Sequence, residues 1–380
     1  MERNVEINSQ FRPVYVVWEL TLKCDLACRH CGSRAGRPRE EEMSLDEAKH
    51  IADQLAKMGA KEVTFIGGEA YLYPSWKELI TYTSALGITC TMTTGGRALT
   101  LDKCMDLAEA GVRGISVSID GLEKTHDKLR AVKGSFRAGM DALENIQKAG
   151  MIANSNIQLN RLNWMELEEL ALLLLEKKVK IWQVQLTGPM GRAADRAEWL
   201  LQPYELLDLM PRLERLAKLL AENGSTLNAA NNLGYYGPHE SEIRYQFWKG
   251  CGAGRHVLGI ESNGDVKGCP SLPTAPYVGG NLRTDSLQKI WQTKQLAFAR
   301  ENREDELWGY CKTCYYSRLC KGGCSWTSHT LLGRRGNMPY CHHRVLELAK
   351  EGKGERIRLA EKASGQPFDF GRYELELFSL

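Results

Sequence analysis

LTLKCDLACRHCGSRAG, residues 20–36, places Cys24, Cys28 and Cys31 just after an apolar run, VYVVWEL (14–20). That run is rich in β-branched and aromatic residues and reads as a strand, so the three thiols sit in the loop that follows it. Thiols grouped in this way serve as a disulfide staple, a zinc knuckle or an iron–sulfur site. The rest of the chain decides between them.

The chain has 380 residues, enough for about two domains and a sizeable core. Lys and Arg number 50 against 47 Asp and Glu, a net charge of +3 that is too balanced for a nucleic-acid or membrane-surface binder. No stretch approaches the roughly 20 apolar residues of a spanning helix, and MERNVEINSQFRPV lacks signal-peptide organisation. These features predict a cytoplasmic chain. In a reducing compartment its 12 Cys are better suited to metal or cluster ligation than to disulfides. Three lie in 24–31 and seven in 251–341, while Cys90, in an apolar strand, and Cys104, on a helix, read as small core residues.

From 14 to about 222 the sequence alternates strand-like runs with amphipathic helical ones. After VYVVWEL come KEVTFI, ITCTMTT, GISVSID, MIANSNIQL and KIWQVQL. Between them lie segments such as SLDEAKHIADQLAKMG, with Ser44 and Glu47 as a capping box and Gly59 as the stop, and NWMELEELALLLLEKK. Six β-then-α units predict an α/β fold, a partial (β/α)6 TIM-like barrel whose chemistry sits at the C-terminal ends of its strands. Past about 235 the pattern gives way to Gly-, Cys- and aromatic-rich sequence, the composition of a small domain held by metal. The expected organisation is a barrel over 14–235, a metal-cluster domain over 236–349, and a terminal helix with an extension over 350–380.

Three thiolates suit zinc or iron–sulfur, and the missing fourth ligand is informative. His30 is a candidate fourth zinc ligand, yet neighbours in so tight a loop rarely both reach one metal. The spacing Cys24-x3-Cys28-x2-Cys31 is similar to that of the radical S-adenosylmethionine (SAM) superfamily. The resemblance implies that these thiolates bind three irons of a [4Fe–4S] cluster while SAM chelates the fourth. IGGEA (66–70) resembles the GGE motif, with Gly67 and Gly68 admitting the methionyl moiety and Glu69 accepting from its ammonium. TTGGR (93–97) stands where relatives carry a ribose contact; the usual amide is absent, leaving Thr94 and the backbone. From SVSIDG (116–121) and THDKLR (125–130) the resemblance assigns Ser118 and Asp120 to the ribose side and Arg130 to the SAM carboxylate, with His126 as a loop contact. VQLTGPMGRA (184–193) resembles a further SAM-facing segment, carrying Gln185 and Arg192.

Cys251-x12-Gly264-x4-Cys269, then Cys311-x2-Cys314-x5-Cys320-x3-Cys324 and Cys341, is a string a zinc ribbon does not account for. It resembles the SPASM extension of radical SAM enzymes, which implies two auxiliary [4Fe–4S] clusters and three in all. Carried over, Cys311, Cys314, Cys320 and Cys341 ligate the outer cluster, and Cys251, Cys269 and Cys324 the inner one. ESEIRYQFWKG, before Cys251, supplies no further Cys, so the inner cluster has three evident thiolates.

The resemblance implies an enzyme that generates a 5′-deoxyadenosyl radical and oxidatively modifies a substrate. The nearest likeness is to maturases of ribosomally made peptides, including those acting on precursors with Nif11-like leaders. Crosslinking and backbone excision to a β-amino acid are both outcomes open to such enzymes. Sulfatase-type maturation is disfavoured because Pro270, not Asp, follows Cys269. Partners implied are a precursor peptide, a flavodoxin- or ferredoxin-type electron donor and, with the first strand starting near 14, a separate leader-recognition protein or the barrel's own surface. A small-molecule or protein substrate is the enzymatic alternative, and a zinc-binding interaction module the non-enzymatic one.

Overall fold

The strand-like runs become β1 (Tyr15–Glu19), β2 (Glu62–Ile66), β3 (Thr89–Thr94), β4 (Val112–Ser118), β5 (Ile152–Leu159) and β6 (Ile181–Leu186). In this computed structural model, which describes residues 11–230, 232–234, 237–244, 248, 250–300 and 304–380, each pairs in parallel with the next. The helices α1 (Leu45–Lys57), α2 (Trp76–Ala85), α3 (Leu101–Glu109), α4 (Glu123–Arg130), α5 (Ser135–Lys148), α6 (Leu167–Glu176) and α7 (Leu206–Glu222) make the crossovers. The helix α1 starts at the expected capping box, where Glu47 Oε2 accepts from the Ser44 N–H at 2.8 Å, and stops at Gly59 with φ +83°. A seventh parallel strand, β7 (Thr226–Ala229), follows α7 and pairs with β6.

The strands alternate in character, and the alternation locates the chamber. Val16, Trp18, Val63, Phe65, Cys90, Met92, Ile115, Val117, Trp182 and Val184 face outward into the main apolar core beneath the helices. Their neighbours in sequence, Thr64, Thr91, Ser116, Ser118, Asn156, Gln158, Gln183 and Gln185, point the other way, into the lumen. A strand buried on both faces by apolar packing reads as a continuous apolar run. These do not, so the lumen is a polar chamber rather than a second core.

The strands β8 (Val257–Ile260), β9 (Asp265–Lys267) and β10 (Val278–Asn281) extend the same sheet, giving the order β10-β9-β8-β1-β2-β3-β4-β5-β6-β7. The strand β8 runs parallel to β1, Tyr15 beside Val257 and Trp18 beside Ile260. Among the described residues no helix is long and apolar enough to cross a membrane.

The tail corrects an expectation. The helix His342–Lys350 ends where the terminal helix was expected to run on, and 350–380 instead form a hairpin of β11 (Lys353–Glu361) and β12 (Arg372–Ser379). The cause is legible afterwards. Arg356 faces Glu376 and Arg358 faces Glu374 across the hairpin, and such opposite-charge pairs reward strand pairing. At the base of the hairpin, Arg344 Nη2 meets Glu355 Oε1 at 2.6 Å, each side chain 4% exposed. Glu355→Ala leaves a buried guanidinium uncompensated and is expected to cost about 3–5 kcal/mol. An Arg344→Met/Glu355→Leu pair is expected to recover most of that loss in urea unfolding of the reconstituted protein.

Candidate active site

The loop after β1 is pinned at both ends. The Cys24 N–H donates to Gly36 O at 3.2 Å and the Gly36 N–H to Leu22 O at 2.8 Å. Each thiol then receives a donor: the Leu26 N–H reaches Cys24 Sγ at 3.4 Å, the Ala35 N–H reaches Cys31 Sγ at 3.4 Å, and Arg130 Nη1 reaches Cys28 Sγ at 3.5 Å. Donors to sulfur stabilise thiolate ligands. Burial first, and then Glu69, pushes Cys24 up to about 12, and burial pushes Cys28 up to about 11. Thiols this reluctant to ionise alone become thiolates when a metal supplies positive charge.

The GGE turn at the end of β2 docks onto this loop. The Gly68 N–H donates to Thr21 O at 2.7 Å and the Glu69 N–H to Lys23 O at 2.9 Å. A Cβ on Gly67 would lie 2.3 Å from Thr21 O, and one on Gly68 2.3 Å from Lys23 O and 2.7 Å from Cys24 Cβ. Both glycines are therefore required for the approach of the cysteine loop itself, a partner the motif reading did not name. The Glu69 carboxylate accepts from Thr94 Oγ1 at 2.5 Å and from the Gly95 N–H at 2.7 Å. One of its oxygens lies within 4.8 Å of Cys24 Sγ. Burial raises its pKa to about 7 despite those donors, so a cation placed beside it would be strongly favoured. Thr94 thus orients Glu69 and spends its proton doing so.

Asp120 is the hub on the opposite side. Fully buried, it meets His30 Nε2 at 2.9 Å and Arg130 Nη2 at 2.5 Å, and its Oδ1 accepts from the Gln158 N–H at 3.0 Å. Burial alone would raise this carboxyl, but Arg130 and His30 hold it well below the usual carboxylate range. His30 is therefore committed to Asp120. His126 Nδ1 accepts from the Asp120 N–H at 3.0 Å, and burial drives its pKa down to about 3, so it stands neutral as a loop contact. Ser118 exchanges hydrogen bonds with Asn156 at 3.0–3.2 Å. Arg130 Nε is buried without a partner among the described residues, so the guanidinium keeps capacity for a further anion. A buried carboxylate, an arginine with a spare N–H and three donor-supplied thiols fit a ligand carrying both an ammonium and a carboxylate.

The later cysteines fall into two sets. Cys311, Cys314, Cys320 and Cys341 line one small pocket with Tyr310 and Met338, and the Met338 N–H donates to Cys311 Sγ at 3.4 Å. Cys251, Cys269 and Cys324 form the other: burial and then Cys251 push Cys269 up to about 12 and Cys324 up to about 11. Much of ESEIRYQFWKG lies outside the described residues. Cys90 and Cys104 are fully buried in the core, raised by burial to about 12 and about 11.

Several contacts lay beyond the reach of motif reading. The Arg192 guanidinium donates to Cys28 O at 2.6 Å and Ala35 O at 3.0 Å, strapping the loop. Arg34 pairs with Asp195 at 2.7 Å and with Asp369, from the tip of the β11–β12 hairpin, at 2.8 Å. At that tip Phe368 packs with Leu22, Ala35 and Met190. Trp326 contacts this cluster, which carries Cys24 and Cys31, and also the one that carries Cys251 and Cys269. Glu19, Arg39, Glu261 and Lys267 form a buried network, with Arg39 3.1 Å from Glu19 and Lys267 2.6 Å from Glu261. Arg192 with Cys28, Arg34 with Asp195 and Asp369, and Arg39 with Glu261 each join positions more than 150 residues apart, and no local signal in the chain points to them.

Comparison with known proteins follows this geometry. Residues 18–174 match the Radical SAM superfamily and 251–315 an iron–sulfur cluster-binding domain named SPASM. Mycofactocin maturase MftC of Mycolicibacterium smegmatis is 31% identical over 318 residues, covering 82% of this chain and 78% of that protein. AdoMet-dependent heme synthase of Methanosarcina barkeri is 28% identical over 348 residues, 87% of this chain and 97% of that one. The crystal structure of Streptococcus suis SuiB bound to precursor peptide SuiA shares the fold, with a TM-score of 0.67 at 18% identity over 89% of this chain and 76% of that one.

Gly68→Ala is expected to push the GGE turn off the cysteine loop. Iron bound by the reconstituted protein should fall by about four per chain, one cluster's worth, while the later cysteines keep theirs. Iron analysis with electron paramagnetic resonance reads the difference.

Proposed function

The chain belongs to the radical SAM enzymes that carry a SPASM iron–sulfur domain, and from that premise we propose that it oxidatively modifies a ribosomally made precursor peptide. The observation that carries the peptide reading is the set of neutral, polar side chains that β4 to β6 turn into the lumen, Ser116, Ser118, Asn156, Gln158, Gln183 and Gln185, as suits a substrate made of amides. Arg34, Arg39, Arg192 and Lys267 nearby are engaged by Asp369, Glu19, the Cys28 and Ala35 carbonyls, and Glu261. The likeness to the maturase MftC over most of the chain supports the same reading.

Within this proposal Cys24, Cys28 and Cys31 hold the first [4Fe–4S] cluster, Glu69 accepts from the ammonium of SAM, and Arg130 faces its carboxylate. Thr94 and Gly95 keep Glu69 oriented, and Asp120 keeps Arg130 against Cys28. Gly67 and Gly68 seat the loop, while Ser118, held by Asn156, borders the ribose side. When bound, SAM and its reduced cluster supply one-electron chemistry that removes a hydrogen atom from unactivated carbon. Cys311, Cys314, Cys320 and Cys341 hold an outer cluster, and Cys251, Cys269 and Cys324 an inner one with a site left over. Trp326 packs against both the first and the inner cysteine sets, and Phe368 of the hairpin tip packs against the first. An external flavodoxin- or ferredoxin-type protein supplies electrons, and leader recognition falls to a separate protein or the barrel surface. The division into a barrel over 14–235 and a cluster domain over 236–349 follows the same reading.

Two measurements test this. Anaerobically reconstituted protein should bind about twelve iron with matching sulfide per chain, and about eight when Cys24, Cys28 and Cys31 are changed together to Ala; zinc without sulfide would overturn the assignment. With SAM, a reductant and a candidate precursor peptide, drawn from any small open reading frame beside its gene, a peptide mass change should accompany release of 5′-deoxyadenosine. Turnover of coproporphyrin III in place of the peptide would move the substrate to tetrapyrroles.

A further inference from the structure

The lumen face of β5 and β6 carries a lattice of carboxamides. In register, Ser118 lies beside Asn156, Asn156 beside Gln183, Gln158 beside Gln185, and Gln183 beside Asn228 of β7. Asn156 is committed: its Oδ1 accepts from Ser116 Oγ at 3.1 Å and from Ser118 Oγ at 3.2 Å. The glutamines are not. Gln183 Nε2 donates to Gln185 Oε1 at 3.3 Å, which leaves Gln183 Oε1, Gln185 Nε2 and both ends of the Gln158 carboxamide without a side-chain partner among the described residues. All three glutamines are half-buried and lie on the strand face opposite the core residues Ile157, Leu159, Trp182, Val184 and Leu186, which is the lumen side. Gln158 also adjoins the cysteine loop, since its own N–H donates to Asp120, which holds His30 and Arg130.

We propose that Gln158, Gln183 and Gln185 form a specificity-determining subsite that reads the main-chain amides of an extended peptide beside the cysteine loop. The argument is chemical and geometric. A carboxamide offers a donor and an acceptor together, the same pair a peptide group presents. Gln183 and Gln185 are two positions apart on one strand, about 6.6 Å, the repeat at which an extended chain turns successive amides the same way. The three side chains carry no charge, so the subsite gives no reward to a carboxylate. The proposal rests on the peptide reading above and adds which residues select for it.

The test uses the anaerobically reconstituted holoenzyme with SAM and three probes: N-acetyl-trialanine amide, its fully N-methylated analogue, and coproporphyrin III. Saturation-transfer NMR titration should show the tripeptide amide binding and the N-methylated analogue failing. Gln158→Met/Gln183→Met, which keeps side-chain length and loses the hydrogen bonds, should weaken tripeptide binding by about tenfold. Gln183→Ala with Gln185→Ala, which opens no cavity in the outer core, is the second variant should the first fold poorly. Unchanged tripeptide affinity in both variants overturns the subsite and leaves the peptide reading standing. No tripeptide binding, with coproporphyrin III bound instead, overturns both. No binding of any probe overturns the subsite.

Discussion

The parallel pairing of β1 with β8 is the constraint on which the rest depends. It joins the two cysteine-bearing parts of the chain through one sheet, Tyr15 to Trp18 alongside Val257 to Ile260. One strand leads directly into Cys24, and the hairpin partner of the other, β9, leads into Cys269 two residues after Lys267. A sheet is stiff in the plane of its hydrogen bonds, so two cofactor cradles built on adjacent strands keep a set separation. The buried Glu19–Arg39–Glu261–Lys267 network reinforces this join, alternating charges between the two sides. Buried ions of this kind specify arrangement more than they add stability.

A second principle organises the loop that carries Cys24, Cys28 and Cys31. Almost none of its backbone is in regular structure, yet its carbonyls and thiols are met by donors from elsewhere: Arg192 from the segment after β6, Arg130 from α4, and the GGE turn after β2. A loop with no ladder of its own must have its polar groups satisfied by others. Asp120 coordinates much of this by holding His30 of the loop and Arg130 of the helix at once. Residues that sequence motifs assign to cofactor contact thus also build the loop. Thr94 is the clearest case, since its hydroxyl orients Glu69.

How much was legible in advance differs by element for physical reasons. The strands of the barrel announced themselves because each carries a run of β-branched and aromatic residues between capped helices, signals that act locally. The cysteines stood out as candidate ligands because of their clustering, and their sorting into sets came from the resemblance to a family pattern of ligand gaps. The terminal hairpin was misread because alternation in ERIRLAE and YELELFS is short and charged, and its pairing depends on a partner some twenty residues away. Arg34 with Asp369 and Arg192 with Ala35 were invisible for the same reason on a longer scale.

By itself, then, the sequence determined the alternating strands and helices of the parallel barrel, because propensity and periodicity are properties of neighbours along the chain, while the grouping of ten cysteines and the motif residues of the first site came from its resemblance to a family pattern. The tertiary structure alone decided that β8 joins β1, that the hairpin tip closes on the cysteine loop, and that Gln158, Gln183 and Gln185 of β5 and β6 share the lumen face. Those outcomes depend on which face of a strand turns inward and which distant group meets it, and burial settles both only when the whole sheet has closed.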